Sequence, residues 1–186
     1  MKKEFDLSLN IDDVKILPDF GRIIDDEKLC RLHPHWFVNE PVTDKDRFTA
    51  TIMDHATDES FTFSCSISFG GPSTDILKVT VLEGPFRSLR FFVRGSRLFA
   101  EVTYLTARPD EKTESDLFLW IKSIREYLRI YIIRNPATLF FRVLMNRVIL
   151  TMNPSQRKIC LMLFRFTLLE VLVIILIVVG YVMFAK

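Results

Sequence analysis

Three histidines and their neighbours form the first group of side chains whose types could support chemistry. His33 and His35 flank a proline in the segment LHPHW, Cys30 lies three residues earlier, and Asp54-His55 follows on a later segment. A metal site needs three or four converging ligands of these types, but this spacing matches no standard metal motif. We therefore expect a junction between a helix and a strand here, and neither a metal site nor a cofactor.

Glu101 is the candidate acid, base or ligand-binding carboxylate. In LFAEVTY it alternates with Phe99 and Thr103. If that side faces an apolar cavity, burial would raise the pKa of the Glu101 carboxyl and suit it to bind a ligand hydroxyl or act as a general base. The opposite register, with Leu98, Ala100, Val102 and Tyr104 inward, is more uniformly apolar. The sequence favours this second register, in which Glu101 is solvated, but leaves both open.

Four arginines crowd one predicted hairpin, at positions 87, 90, 94 and 97. Guanidinium groups at this density could bind phosphate or lipid headgroups. Charged residues are also the usual means by which a sheet avoids pairing with another chain. We expect a solvated part of the sheet.

The elements that would position these residues follow from hydrophobic periodicity. Residues 3–10 alternate as a strand, and two short helices are expected at about 12–17 and 25–33. Six further strands, separated by turn signals such as Gly84-Pro85 and Gly95-Ser96, extend from WFVNEPV to RLFAEVTYLTA. After Pro109 an apolar stripe at helical spacing predicts one long helix over 113–134, capped by Thr113 or Ser115.

This order over residues 3–134 resembles the helix-grip family, which includes START domains, birch-allergen-like proteins, polyketide-cyclase-like proteins and coenzyme-Q-binding proteins. The segment DEKLCRLHPHWFVNEPVTDKDRFTATI is similar to that family's passage from the second short helix into the second strand. The resemblance implies an α+β fold: a curved antiparallel sheet of about seven strands, two short helices and a long C-terminal helix. It also implies an apolar cavity for lipids, sterols, quinones or polyketides.

The candidate lining of such a cavity comes from the aromatic-rich strands and from the stripe of the long helix. Its members are Phe61, Phe63, Phe69, Phe99, Glu101, Leu117, Ile121, Ile124 and Leu128. The same side chains could instead fill a closed core, and the sequence does not separate these alternatives.

The stretch FTLLEVLVIILIVVGYVMFA, residues 166–185, predicts a transmembrane helix. At about 1.5 Å per residue it covers about 30 Å, the thickness of the hydrocarbon layer. Five basic residues stand before it, whereas only Lys186 follows; the five are Arg142, Arg147, Arg157, Lys158 and Arg165. The positive-inside rule then predicts a single-pass, tail-anchored protein with a cytoplasmic N-terminal domain. Three unpatterned cysteines are consistent with a reducing compartment.

Two Asn-Pro pairs predict that separate helices begin at Pro136 and Pro154, which divides the chain into 1–134, 135–153 and 154–186. If the helix over 136–152 spanned the membrane, Arg142 and Arg147 would each cost about 2.5–3.5 kcal/mol near the bilayer centre. We therefore expect an amphipathic interfacial helix. A helix packed on the domain or on another protein is the alternative.

These features predict a membrane-tethered, START-like domain that binds or presents an apolar ligand such as a lipid, quinone or isoprenoid. The expected partners are membrane lipids, an apolar small molecule and a membrane protein with which Glu170, within the span, could pair. Snorkelling or protonation of Glu170 at the interface is an equal alternative. Nucleic acid is not expected, because the basic residues adjoin the anchor. The alternatives are an accessory subunit of a membrane complex, and a cyclase- or hydrolase-like enzyme that uses Glu101, Asp54 or His55.

Overall fold

In the computed structural model of this chain, seven antiparallel strands form one sheet that packs against a long helix. The structure describes residues 1–10, 23–44, 47–69, 75–106, 109–133 and 135–184. The strands are β1 (Lys2–Asn10), β2 (Trp36–Asp44), β3 (Arg47–Asp54), β4 (Glu59–Phe69), β5 (Asp75–Glu83), β6 (Ser88–Arg94) and β7 (Arg97–Thr103). Their order across the sheet is β1-β7-β6-β5-β4-β3-β2. Strands β2 to β7 therefore form a meander, and β1 closes it by pairing with β7.

The described helices are α1 (Asp26–Arg31), α2 (Glu111–Ile132), α3 (Pro136–Leu144) and α4 (Pro154–Phe184). A short π-helix (Met145–Ile149) continues α3. The Asn135 carboxamide caps α3 as predicted, whereas α2 begins earlier than predicted, because the Asp110 carboxylate accepts the backbone N–H of Thr113. The short helix predicted at 12–17 lies outside the described residues.

This arrangement confirms the predicted α+β helix-grip fold. The inner face of the sheet carries alternating apolar side chains, which meet the apolar stripe of α2. Leu117, Ile121, Ile124 and Leu128 of that stripe are all buried. The sheet and α2 thus form one core, as expected when an antiparallel sheet covers one face with a helix.

Trp120 lies at the centre of this core and is fully buried. Its ring centroid is 5.3 Å from that of Trp36, 6.4 Å from that of Phe63 and 5.7 Å from that of Phe86. Its indole Nε1 donates a hydrogen bond of 2.8 Å to the carbonyl oxygen of Leu29 in α1. One side chain therefore joins α2 to both the sheet and the short helix.

The described chain forms two compact units, Met1–Thr151 and Met152–Lys186. The second unit contains α4, in which the most apolar 18-residue stretch has a mean hydropathy of 2.7 and no buried residue. In the described part of the chain this helix alone is long and apolar enough to cross a membrane.

We expect the substitution Trp120→Phe to lower the free energy of unfolding of the domain by about 2–4 kcal/mol, because it leaves the buried Leu29 carbonyl without its donor and opens a cavity. Denaturant unfolding in detergent, followed by the fluorescence of the remaining Trp36, measures this. The control is Leu119→Ala on the exposed side of the same helix, which should cost less than about 1 kcal/mol. Equal losses in both variants would contradict the central role of Trp120.

Candidate functional site

A cleft of about 430 Å³ opens between the N-terminal end of α2 and the sheet. Residues from the α1–β2 turn, β2, β3, β4, the β5–β6 turn, and the N-cap and first turns of α2 line it. They are His33, Trp36, Asp54, Phe61, Thr62, Gly84, Pro85, Asp110, Lys112, Thr113, Asp116 and Leu117. Its volume lies within the range of small-molecule sites in proteins.

Aromatic side chains form one wall of the cleft. The His33 ring stacks on Trp36 with centroids 4.1 Å apart, and Phe61 meets the same indole edge-on at 5.5 Å. The backbone N–H of His35 donates to Nδ1 of His33 at 3.3 Å, which fixes that nitrogen as an acceptor. With Leu117 on the helix side, these rings give the cleft a rigid apolar wall suited to a flat or branched apolar group.

Three carboxylates face the same space. The buried Asp54 accepts the backbone N–H of Ala56 at 2.8 Å. Burial raises the pKa of Asp116, and the charge of Asp54 raises it further, against opposing effects of His35 and Lys112. By contrast, the hydrogen bonds from Thr113 lower the pKa of Asp110. The cleft therefore combines an apolar wall with hydrogen-bond acceptors.

The β5–β6 turn borders the cleft because Gly84 lacks a side chain. Its φ of +156° is one that other residues rarely adopt, and a Cβ atom there would lie 2.8 Å from Val81 Cγ1 and 3.0 Å from the Phe63 ring. The turn can thus lie directly against the core at this point.

The structure places the predicted cavity residues in different environments. Phe61 and Leu117 line the cleft. Phe63, Ile121, Ile124 and Leu128 are buried in the packed core instead, and Phe69 is exposed at the end of β4. The cleft is consequently confined to one end of the long helix.

The inward register of Phe99 and Glu101 is wrong. Leu98, Ala100 and Val102 occupy the inner face of β7 and are fully buried. Glu101 therefore points outward, where its carboxylate lies 3.1 Å from Lys2 Nζ, and Phe99 stacks on the outer Phe92 with centroids 5.7 Å apart. The physical reason is that the observed register buries three apolar side chains, whereas the inward register of Phe99 and Glu101 would bury a carboxylate in an apolar core.

The arginine-rich hairpin also lies on this outer face. Arg90 pairs with Asp75 at 3.5 Å, Arg94 with Glu4 at 3.0 Å and Arg97 with Asp6 at 3.5 Å. Arg94 additionally lies over the rings of the stacked phenylalanine pair. Neighbouring acidic side chains thus balance the charges of these three guanidinium groups, as expected for a solvated sheet surface.

The candidate catalytic residues do not converge. Asp54 lines the cleft, whereas the ring of the next residue, His55, packs edge-on against Phe37 at 6.3 Å. Glu101 lies on the outer face of the sheet. Within the described residues no group of three or more His, Cys, Asp or Glu side chains is arranged to hold a metal ion.

Several lining residues carried no recognisable functional signal in the sequence. Asp110 and Asp116 belong to the first turns of a helix, where acidic residues are common for capping reasons alone. The sequence indicates only a turn at Gly84-Pro85. These residues approach one another only when the sheet curves around α2.

The predicted membrane-interface residues fall in two places. Arg142 lies on α3, where its guanidinium contacts backbone carbonyls of α2, and Arg147 is exposed on the π-helix. The other three belong to α4; Nε of Arg157 donates to the carbonyl of Met152, and Lys158 and Arg165 are exposed. The predicted intramembrane residue, Glu170, is also exposed on α4.

We expect Asp116→Asn to raise the melting temperature of the domain at neutral pH by a small amount, of the order of 1 °C. The sign follows from linkage: a carboxyl whose folded pKa is raised above its ordinary value of 3.8 favours the protonated folded state, so its ionised form destabilises the fold at higher pH. Melting curves at several pH values should show the difference between variant and wild type vanish below about pH 4. Glu83→Gln, at an exposed carboxylate outside the cleft, is the control. A gain that does not change with pH would contradict this origin.

Comparisons with known proteins were made on the sequence and on the fold. No family model matches the sequence, and no curated protein is similar to it. Among solved structures, an AHSA1-like protein from Aeromonas hydrophila is similar with a TM-score of 0.47 and 11% identity, over 73% of this chain and 97% of that one. TTHA0849 from Thermus thermophilus gives 0.44 and 13%, over 70% and 97%. Chr148 from Cytophaga hutchinsonii gives 0.39 and 16%, over 70% and 90%. The fold assignment itself rests on the strand order and on the position of α2 described above.

Proposed function

We propose that this protein is a membrane-tethered helix-grip domain that binds a ligand with an apolar body in the cleft at the N-terminal end of α2. The observation that carries the proposal is the cleft itself, with its rigid wall of Trp36, Phe61 and Leu117. A lipid, a quinone or an isoprenoid has an apolar group of the kind that such a wall accepts.

The acidic side of the cleft indicates how the ligand would be oriented. The carboxyl oxygens of Asp54 and Asp110 are acceptors, so a hydroxyl or an amine at the polar end of the ligand could donate to them. The Asp116 carboxyl lies beside them and adds a third polar group to this side of the cleft. The apolar body would then lie against the stacked His33 and Trp36 rings.

The tether in this proposal is α4. Its apolar stretch is long enough to cross a bilayer, and none of the residues in that stretch is buried. Basic residues at the N-terminal end of this helix, together with Arg142 and Arg147, favour a cytoplasmic position for the domain. A tethered domain meets a ligand that partitions into membranes at a raised local concentration.

Binding without catalysis fits the described site better than the cyclase- or hydrolase-like alternative. Glu101 is separated from Asp54 by the sheet, and the His55 ring packs against Phe37, so the three candidate catalytic residues do not converge in the cleft. The second alternative, an accessory subunit of a membrane complex, depends on the exposed apolar surfaces outside the cleft.

The cleft can be tested by filling it. Thr113 faces the cleft from the first turn of α2, whereas Ser115 is exposed on the other side of the same turn. We expect native mass spectrometry of the gently extracted full chain to show a bound small molecule in the wild type and in Ser115→Trp. It should be absent from Thr113→Trp, because the new indole occupies the space. Identical adducts in all three proteins, or none in any, would contradict binding in this cleft.

The topology can be tested by thiol labelling in a Cys160→Ser background, since Cys30 and Cys65 are buried. A cysteine at the exposed Lys78 position of β5 should react with an impermeant reagent only after the cytoplasmic side is opened. A cysteine replacing Lys186 should react from the opposite side, because the intervening helix crosses once. Labelling of both positions from one side would exclude a single span.

A further inference from the structure

Helix α3 presents its apolar side chains to the outside of the domain. Leu139 is 61% exposed, Phe140 64%, Phe141 48% and Val143 52%. An amphipathic helix on the surface of a water-soluble protein normally has the reverse orientation, with its apolar side toward the core. Four large exposed side chains on fewer than two turns of helix form a contiguous apolar surface, which we call the α3 apolar face.

The polar side of α3 is directed at the domain, and Arg142 is its main contact. The Arg142 guanidinium donates to the carbonyl oxygens of Ile130 and Tyr131, each at 3.1 Å, and lies 4.9 Å from the centroid of the Tyr131 ring. The last carbonyls of a helix have no intrahelical donors and carry partial negative charge. Arg142 thus satisfies the C-terminal end of α2, which binds α3 to the domain.

The π-helix extends the same contact surface. The Asn146 carboxamide accepts the Tyr127 hydroxyl at 2.8 Å and donates to the Tyr131 hydroxyl at 2.6 Å. Beyond it Leu150 is buried, and its carbonyl accepts a hydrogen bond from Arg31 Nη1 at 3.3 Å. The segment from Arg142 to Leu150 is therefore attached through its polar and C-terminal groups, so the α3 apolar face cannot turn inward without breaking these bonds.

We propose that the α3 apolar face inserts into the lipid leaflet at the cytoplasmic side of the membrane that α4 spans, so that the domain is docked on the bilayer in one orientation. This inference rests on the proposed tether. Continuity of the chain supports it, because only a few residues separate the π-helix from Pro154 at the start of α4. The charge pattern supports it too: the exposed Arg147 can reach anionic headgroups, while Arg142 and Asn146 are already paired within the protein.

The docked orientation determines where the ligand cleft opens. Thr113 at the cleft and Ile130 beside Arg142 lie on the same helix, 17 residues apart, which corresponds to about 25 Å. The proposal includes that α2 points away from the bilayer, so that the cleft lies on the aqueous side of the domain. A ligand that partitions into the membrane would then leave the bilayer before it enters the cleft.

Tryptophan quenching by brominated lipid tests both parts of this proposal. The full chain is reconstituted in vesicles of equal parts brominated phosphatidylcholine and phosphatidylglycerol, with unbrominated vesicles as the reference. The native Trp36 and Trp120 are buried in the domain, and their signal is subtracted with the wild type. We expect Phe140→Trp to lose most of its added fluorescence in brominated vesicles, and Thr113→Trp to keep it. Leu139→Trp replaces Phe140→Trp if that variant fails to fold.

Each contrary result overturns the docking proposal in a recognisable way. An unquenched indole at position 140 excludes insertion, and crosslinking between chains at that position would then assign the α3 apolar face to a second copy. Equal quenching at positions 113 and 140 would place the cleft in the bilayer. The thiol-labelling experiment is independent of the quenching experiment. If positions 78 and 186 are labelled from opposite sides and the indole at position 140 is unquenched, the membrane tether stands and the docking of α3 is wrong. If both positions are labelled from the same side, the single-span tether itself is wrong.

Discussion

The burial of Trp120 is the constraint on which the rest of the domain depends. An indole ring is large enough to contact both tryptophan and phenylalanine rings of the sheet while its N–H still needs an acceptor. The Leu29 carbonyl supplies that acceptor from the last turn of α1. The position of α2 across the sheet and the position of α1 at its edge are therefore set together, since a shift of either element would leave a buried polar group without a partner.

A core filled in this way limits where a ligand can bind. The middle of α2 packs against the sheet through buried aliphatic and aromatic side chains. Space remains at the N-terminal end, where the helix begins with short polar residues and where Gly84 allows the β5–β6 turn to lie close. The helix-grip fold is thus used here with an open cleft at one end of the helix, and carboxylates lie beside its aromatic wall.

The opposite end of α2 has a different chemistry. Its C-terminal carbonyls would be unsatisfied without the Arg142 guanidinium, and its two tyrosine hydroxyls bond to Asn146. These contacts pair the polar groups of α3 and of the π-helix with the domain, which explains how a segment with an arginine and an asparagine can expose an apolar surface. Residues that would be costly in a lipid environment are neutralised by hydrogen bonds inside the protein.

The sequence alone determined the parts of this protein that depend on local periodicity. Alternating segments predicted all seven strands, and a stripe at helical spacing predicted α2, because side-chain direction repeats every two residues in a strand and about every 3.6 in a helix. The Asn-Pro pairs located the starts of α3 and α4, since capping is a contact between residues three apart. The apolar stretch of α4 needed only length and composition.

Tertiary structure decided everything that depends on which surfaces meet. The periodicity of β7 allowed Glu101 on either face, and only packing against α2 placed Ala100 and Val102 inward. The residues of the cleft come from five separate parts of the chain, so no spacing pattern joins them. Likewise, the periodicity of α3 identified a polar and an apolar side, but it did not predict which side packs against the domain. That choice follows from the unsatisfied carbonyls at the end of α2, which attract a guanidinium more strongly than they attract an apolar side chain.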